Sequence, residues 1–252
     1  MLPSTKKLAL VLVALGVAVL PAACERGSAS PINGSGGGDH LRGTTRADTL
    51  RGFAGDDRLE ASGGDDRVEG MDGRDVLFGG GGRDEIYGGP DSDRAYGGPG
   101  IDRIIGLGGK DRLYGEEGPD ALFGGEGNDD LYSGGGGGVA VGGLGEDELV
   151  GGGGRDRLDG EAADDKVDGG PGDDRLEGGK GDDVLDGGAG DDSMFGELGH
   201  DVLRGGDGND FIDAVDGTNG DEVDCGPGSE DIAQADHGDE VTNCETVRAP
   251  GR

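Results

Sequence analysis

The chain has 252 residues with 63 glycines, no tryptophan, and 55 acidic side chains against 22 lysines and arginines, giving a formal net charge of -33. Leu, Ile, Val and Phe supply only 49 residues, and so few apolar side chains at so high a charge exclude most ordinary enzymes and match chains that need help to fold. The same charge repels phosphate, which excludes nucleic acid and anionic membrane surfaces as partners and leaves metal cations and basic surfaces.

Residues 1–23 read as a signal peptide. Lys6 and Lys7 precede the apolar run Leu8 to Leu20, which is too short to span a bilayer and reads as a signal core. Pro21-Ala22-Ala23-Cys24 resembles a bacterial lipoprotein cleavage box, with Pro21 where that family has Leu. Two products are therefore expected: a membrane-anchored lipoprotein carrying lipid on Cys24, or a soluble chain cleaved near Ala22 or Ala23. Both are exported, with residues 24–33 as a flexible linker.

From Leu41 to Ile212 an apolar or small residue recurs every nine positions without a slip. Two residues before each stands an aspartate: Asp39, Asp48, Asp57, Asp66, Asp75, Asp84, Asp93, Asp102, Asp111, Asp120, Asp129, Asp147, Asp156, Asp165, Asp174, Asp183, Asp192, Asp201 and Asp210. Gly138 alone breaks the series. Glycine four residues before the apolar position fails only at Arg46, Asp91 and Ala163, and seven before it only at Ala61 and Ser133. The unit G-G-x-G-x-D-x-U-x, nearly intact in Gly178 to Asp186, resembles the RTX, or haemolysin-type, calcium-binding nonapeptide of exported bacterial proteins. The resemblance covers Gly34 to Asp213.

Each unit divides in two. The glycines allow positive φ and close backbone approach, so G-G-x-G-x-D forms a tight turn with carbonyls aimed inward, those of Gly79, Gly88, Gly97, Gly169, Gly178 and Gly187 among them. The remaining x-U-x is a minimal strand with its middle residue in the core. Two strands make an eighteen-residue coil, and the expected fold is all-β: a parallel β-roll, or β-solenoid, of about ten coils over residues 34–213. Stacked coils bring aspartates close enough to repel, and a hard divalent cation between turns reverses that repulsion. Calcium, with six to eight oxygen ligands in flexible geometry, suits carboxylates plus glycine carbonyls better than magnesium does, and no Cys or His cluster suggests zinc. About sixteen divalent ions would offset the charge, against about eighteen slots between turns. Multiple Ca2+ ions and calcium-coupled folding are expected, with the turn at Gly138 the weakest and positive φ strained at Arg46 and Asp91 unless the loop adjusts there.

Seven of the nine aromatic residues fall on the ninth repeat position. Phe78, Tyr96, Tyr114 and Tyr132 are spaced by eighteen, as are Tyr87, Ile105 and Phe123, so they form ladders: either stacking that stiffens the sheet or a surface for a glycan or protein. Acids at the same position, Glu60, Glu69 and Glu177 among them, sit beside Arg58, Arg67 and Arg175 and read as solvated charge.

Beyond residue 213 a cap is expected over 214–247, then a tail, 248–252. Val223, Ile232 and Val241 are again nine apart, each two residues after an acid (Asp221, Glu230, Asp239). Cys225 and Cys244, nearly one coil apart, are expected to form a disulfide pinning the cap. His40, His200 and His237 are scattered with no nucleophile in a recognisable arrangement, and the repeats occupy nearly the whole mature chain, so no enzyme is expected.

Overall fold

A computed structural model describes residues 31–217 and 220–249. The expected signal peptide, Cys24, most of the linker and the last three residues of the tail lie outside the described residues.

The described residues form an all-strand solenoid. Alternate strands enter two parallel sheets of 13 and 12 strands, so each coil contributes one strand to each sheet. The repeat accounts for this locally. In Val184–Ala189, Leu185 and Gly187 face inward while Val184 and Asp186 face outward. Strands run longer than the expected x-U-x, because pairing continues through the next glycines: the typical strand has six residues. Register is fixed at one coil, with Leu185 paired to Val167 on one side and Leu203 on the other. A one-residue slip would turn every aliphatic side chain outward, so burial and period enforce each other. The inward residues form a single apolar column from Leu50 to Ala233, each almost fully buried.

The turns separate the roles of the glycines. Gly179 and Gly181, in the second and fourth positions, take φ of 111° and 137°. The first glycine, Gly178, is needed for space instead: a Cβ there would lie 2.5 Å from Asp183 Oδ2 and 2.8 Å from the Gly196 carbonyl. Phe53, Met71 and Glu116 at the second position, and Ala163 at the fourth, hold positive φ without being glycine, at about 1 kcal/mol each. Arg46 and Asp91 do not: of the two expected outcomes, the loop adjusts. Side-chain bonds reshape those two turns: Arg46 N–H donates to Thr44 Oγ1 at 3.2 Å, and Asp91 Oδ2 accepts from Gly73 N–H at 2.9 Å.

The cap departs from the expected register at one place. Ala233, not Ile232, pairs with Ile212 and points inward, and Asp231, not Glu230, occupies the aspartate position. One extra residue in the preceding turn shifts the strand by one, which reverses which side chains face the core. Val223 and Val241 keep the expected register, and Cys225 and Cys244 form a disulfide.

On the outer face the rings of Phe78, Tyr96, Tyr114 and Tyr132 stack nearly parallel, with centroids 4.9–5.0 Å apart. Their faces are therefore spent on one another. The Arg58 guanidinium lies 4.4 Å from the Phe78 ring centre and also pairs with Glu60 at 2.7 Å. Arg67 and Arg175 likewise cover Tyr87 and Phe195. These cations are thus more than solvated charge, because each joins an acid to the aromatic one coil on.

Candidate metal centre

Side-chain alternation sends the sixth-position aspartate inward with the apolar residue two places on. From Asp48 to Asp210 every one of these aspartates is at most 5% exposed. They form two columns, one along each edge of the roll.

Within a column each carboxylate has two distinct oxygens. Oδ1 accepts the backbone N–H of the aspartate one coil earlier: Asp165 to Asp183 at 2.7 Å, Asp183 to Asp201 at 2.9 Å, Asp93 to Asp111 at 2.7 Å. The aspartate carbonyl accepts from the next coil, as in Val184 N–H to Asp165 O at 2.9 Å. Oδ2 instead lies over the first glycine of its own repeat with no hydrogen-bond partner, in Asp57, Asp75, Asp84, Asp93 and most of the others through Asp210. Two entry turns differ. There Ser35 and Thr44 each donate N–H and hydroxyl to Oδ2 of Asp39 and Asp48.

A buried anionic oxygen without a partner is expensive. Burial accordingly pushes the carboxyl of Asp84 up to about 6, those of Asp75, Asp93 and Asp183 to about 7, and that of Asp111 to about 8. The N–H on Oδ1 opposes the rise, and neighbouring aspartates add to it.

Among the described residues no three His, Cys, Asp or Glu side chains converge on one point. A cation here would have to draw its remaining ligands from the backbone. The first-glycine carbonyls are placed for this: those of Gly97, Gly178 and Gly187 approach the first glycine of the coil before, where that coil's own Oδ2 lies. An all-oxygen donor set of one carboxylate per turn plus carbonyls fits calcium and does not fit zinc.

The sequence exception is visible as a gap. Gly138 supplies no carboxylate opposite Asp120, and neither oxygen of Asp156, one coil on, has a partner. Ser133, at the first-glycine position of that repeat, is 2% exposed with its Oγ unbonded. At the first-position glycines a Cβ would meet Oδ2, as on Gly124 at 2.4 Å from Asp129 Oδ2, and here no carboxylate is present to be met.

A second ladder escaped the sequence reading. Fifth-position side chains accept N–H bonds from the coil after them: Arg83 to Asp65 Oδ1 at 3.0 Å, Asp182 to Asp164 Oδ1 at 2.9 Å, Asn209 to Asp191 Oδ1 at 2.9 Å. Its direction is opposite to that of the inner ladder. The signal was the acid doublets Asp65-Asp66, Asp164-Asp165 and Asp191-Asp192.

Parallel coils whose turns, the one at Gly138 excepted, present one inward carboxylate apiece define a β-roll with acid-lined turns. The family of the RTX calcium-binding nonapeptide repeat (4 copies) matches repeatedly, at residues 33–68, 60–95, 69–104, 87–122, 105–140, 141–176, 168–203 and 195–221. The chain belongs to this family of calcium-binding repeats. No curated protein matches it individually.

Proposed function

We propose that the roll is a multi-site calcium module whose folding is coupled to the ion, and that it works outside the cell. In this reading the sixth-position aspartates, Asp39 through Asp210, supply side-chain oxygens, and first-position glycines, Gly79, Gly88, Gly97, Gly169, Gly178 and Gly187 among them, supply carbonyls. The observation that carries it is the row of buried Oδ2 atoms with no partner. Ionised and unpaired they oppose folding, and with a divalent cation beside them they support it. Extracellular calcium modules work at about 10⁻⁴ to 10⁻³ M, so an exported chain would close on meeting external calcium. The leading segment 1–23 supports export, with Cys24 as the candidate lipid attachment point.

Circular dichroism across a calcium titration tests the coupling. Strand signal should rise with calcium at neutral pH. A full strand signal in excess chelator at neutral pH would overturn it.

A further inference from the structure

The family match ends at residue 221, but one aspartate column continues past it. Asp210 N–H donates to Asp231 Oδ1 at 2.8 Å, and Asp231 N–H donates to Glu245 Oε2 at 2.9 Å. Glu245 therefore does for Asp231 what an aspartate one coil on does elsewhere, from fourteen residues away rather than eighteen. The shorter connection is bridged by a longer side chain.

Asp231 is 0% exposed and its Oδ2 has no hydrogen-bond partner. Its carboxylate lies against bare backbone, since a Cβ on Gly228 would strike both of its oxygens and the Gly208 carbonyl. The column thus ends in a fully buried carboxylate with an unpartnered oxygen beside a second carboxylate. The buried Asp231 carboxylate calls for a cation, Glu245 stands beside it as an exposed second ligand, and the oxygen-only chemistry is that of a hard divalent ion.

The disulfide holds this pair together. Cys244 immediately precedes Glu245, and Cys225, 0% exposed, begins the turn that carries Asp231. The bond ties the residue next to one carboxylate to the turn of the other.

We propose that Asp231 and Glu245 form a terminal calcium site outside the nonapeptide register, assembled only when the Cys225–Cys244 disulfide is closed. The proposal rests on the reading that the turns bind calcium. It adds a glutamate ligand and a covalent condition that the repeat does not have.

Hydrogen exchange read by mass spectrometry, with the full chain titrated with calcium chloride, resolves the cap from the roll. In the wild type, peptides within 222–248 should gain protection with calcium. Glu245→Gln should raise the calcium midpoint of those peptides by about tenfold or more, leaving peptides within 34–213 unmoved. The double variant Cys225→Ser/Cys244→Ser should shift the cap midpoint as far, and adding Glu245→Gln to it should shift it no further. A cap midpoint unchanged by Glu245→Gln, with the roll still responding, overturns the terminal site alone. A chain in which no peptide responds to calcium overturns the site together with the reading beneath it.

Discussion

The N–H of Asp111 donates to Oδ1 of Asp129 at 2.8 Å, one coil further along the roll. That bond fixes the rotamer of the receiving carboxylate and thereby aims its other oxygen at the first glycine of its own turn. Backbone stacking and ion-site geometry are consequently one arrangement: a coil that is correctly stacked has a correctly pointed oxygen.

Acid should replace calcium in part. The Asp111 carboxyl is raised to about 8 and those of Asp75, Asp93, Asp147 and Asp165 to about 7 by burial. In the unfolded chain the same groups titrate near 4. The folded state holds more protons than the unfolded one between about pH 4 and 8, so calcium-free stability is greatest below that window and falls as pH rises through it. Chelator-treated protein should show more strand by circular dichroism at pH 4 than at pH 8, and calcium should restore the signal at pH 8. A calcium-free roll that gains stability with rising pH would contradict the orientation of these carboxylates.

Position in the column should grade the effect of removing a carboxylate. Asp111 has an aspartate on both neighbouring coils, Asp93 and Asp129, whereas Asp120 has Asp102 on one side and Gly138 on the other. Asp111→Asn should raise the calcium midpoint about tenfold and Asp120→Asn by only about threefold. Equal shifts in calorimetric titrations would argue against sharing of ions between turns.

Glycine in the first position should be hard to replace. A Cβ on Gly97 would stand 2.6 Å from Asp102 Oδ2 and 2.9 Å from the Gly115 carbonyl, while one on Gly81, in the third position, meets only the Pro99 carbonyl at 3.9 Å. Gly97→Ala should destabilise the calcium-loaded roll by about 1–3 kcal/mol in thermal unfolding, with Gly81→Ala close to neutral. Ala61, a first-position alanine buried to 0% exposure within the strand Arg58–Gly63, shows that a methyl is accommodated at one such position.

Ring stacking predicts a small structural penalty on the outer face. Tyr114 stacks on both Tyr96 and Tyr132, so Tyr114→Ser should cost about 0.4–2 kcal/mol from the two lost pairs. Calcium stoichiometry should stay the same. Stability unchanged to denaturant would show that the ladder does not stiffen the sheet.

The nine-residue period made the coil, the core column and the inward aspartates readable before any coordinates, because each repeats the same local decision twenty times. The misreadings lie where that repetition fails. Glu230 and Ile232 keep a nine-residue spacing by coincidence, since the turn before them gained a residue, and one residue is enough to put Asp231 and Ala233 inward instead. Glu245 was invisible to spacing because it completes its column from the wrong distance with a different side chain. The doublets that form the outer ladder were hidden by abundance: in so acidic a chain, one more aspartate carries little information.

Among the described residues the main contacts of each strand are with strands one or two places away in the chain, and paired strands are offset by eighteen residues throughout the repeats. Load applied along the axis of the repeats therefore meets mainly ties one coil long, and in the cap the Cys225–Cys244 disulfide closes one coil covalently. Stretched by its ends, the repeat region should pay out slack in equal steps, each detached coil freeing eighteen residues, or about 60 Å of extended chain. If ions clamp the turns, external calcium sets how hard the chain must be pulled before the next length is released.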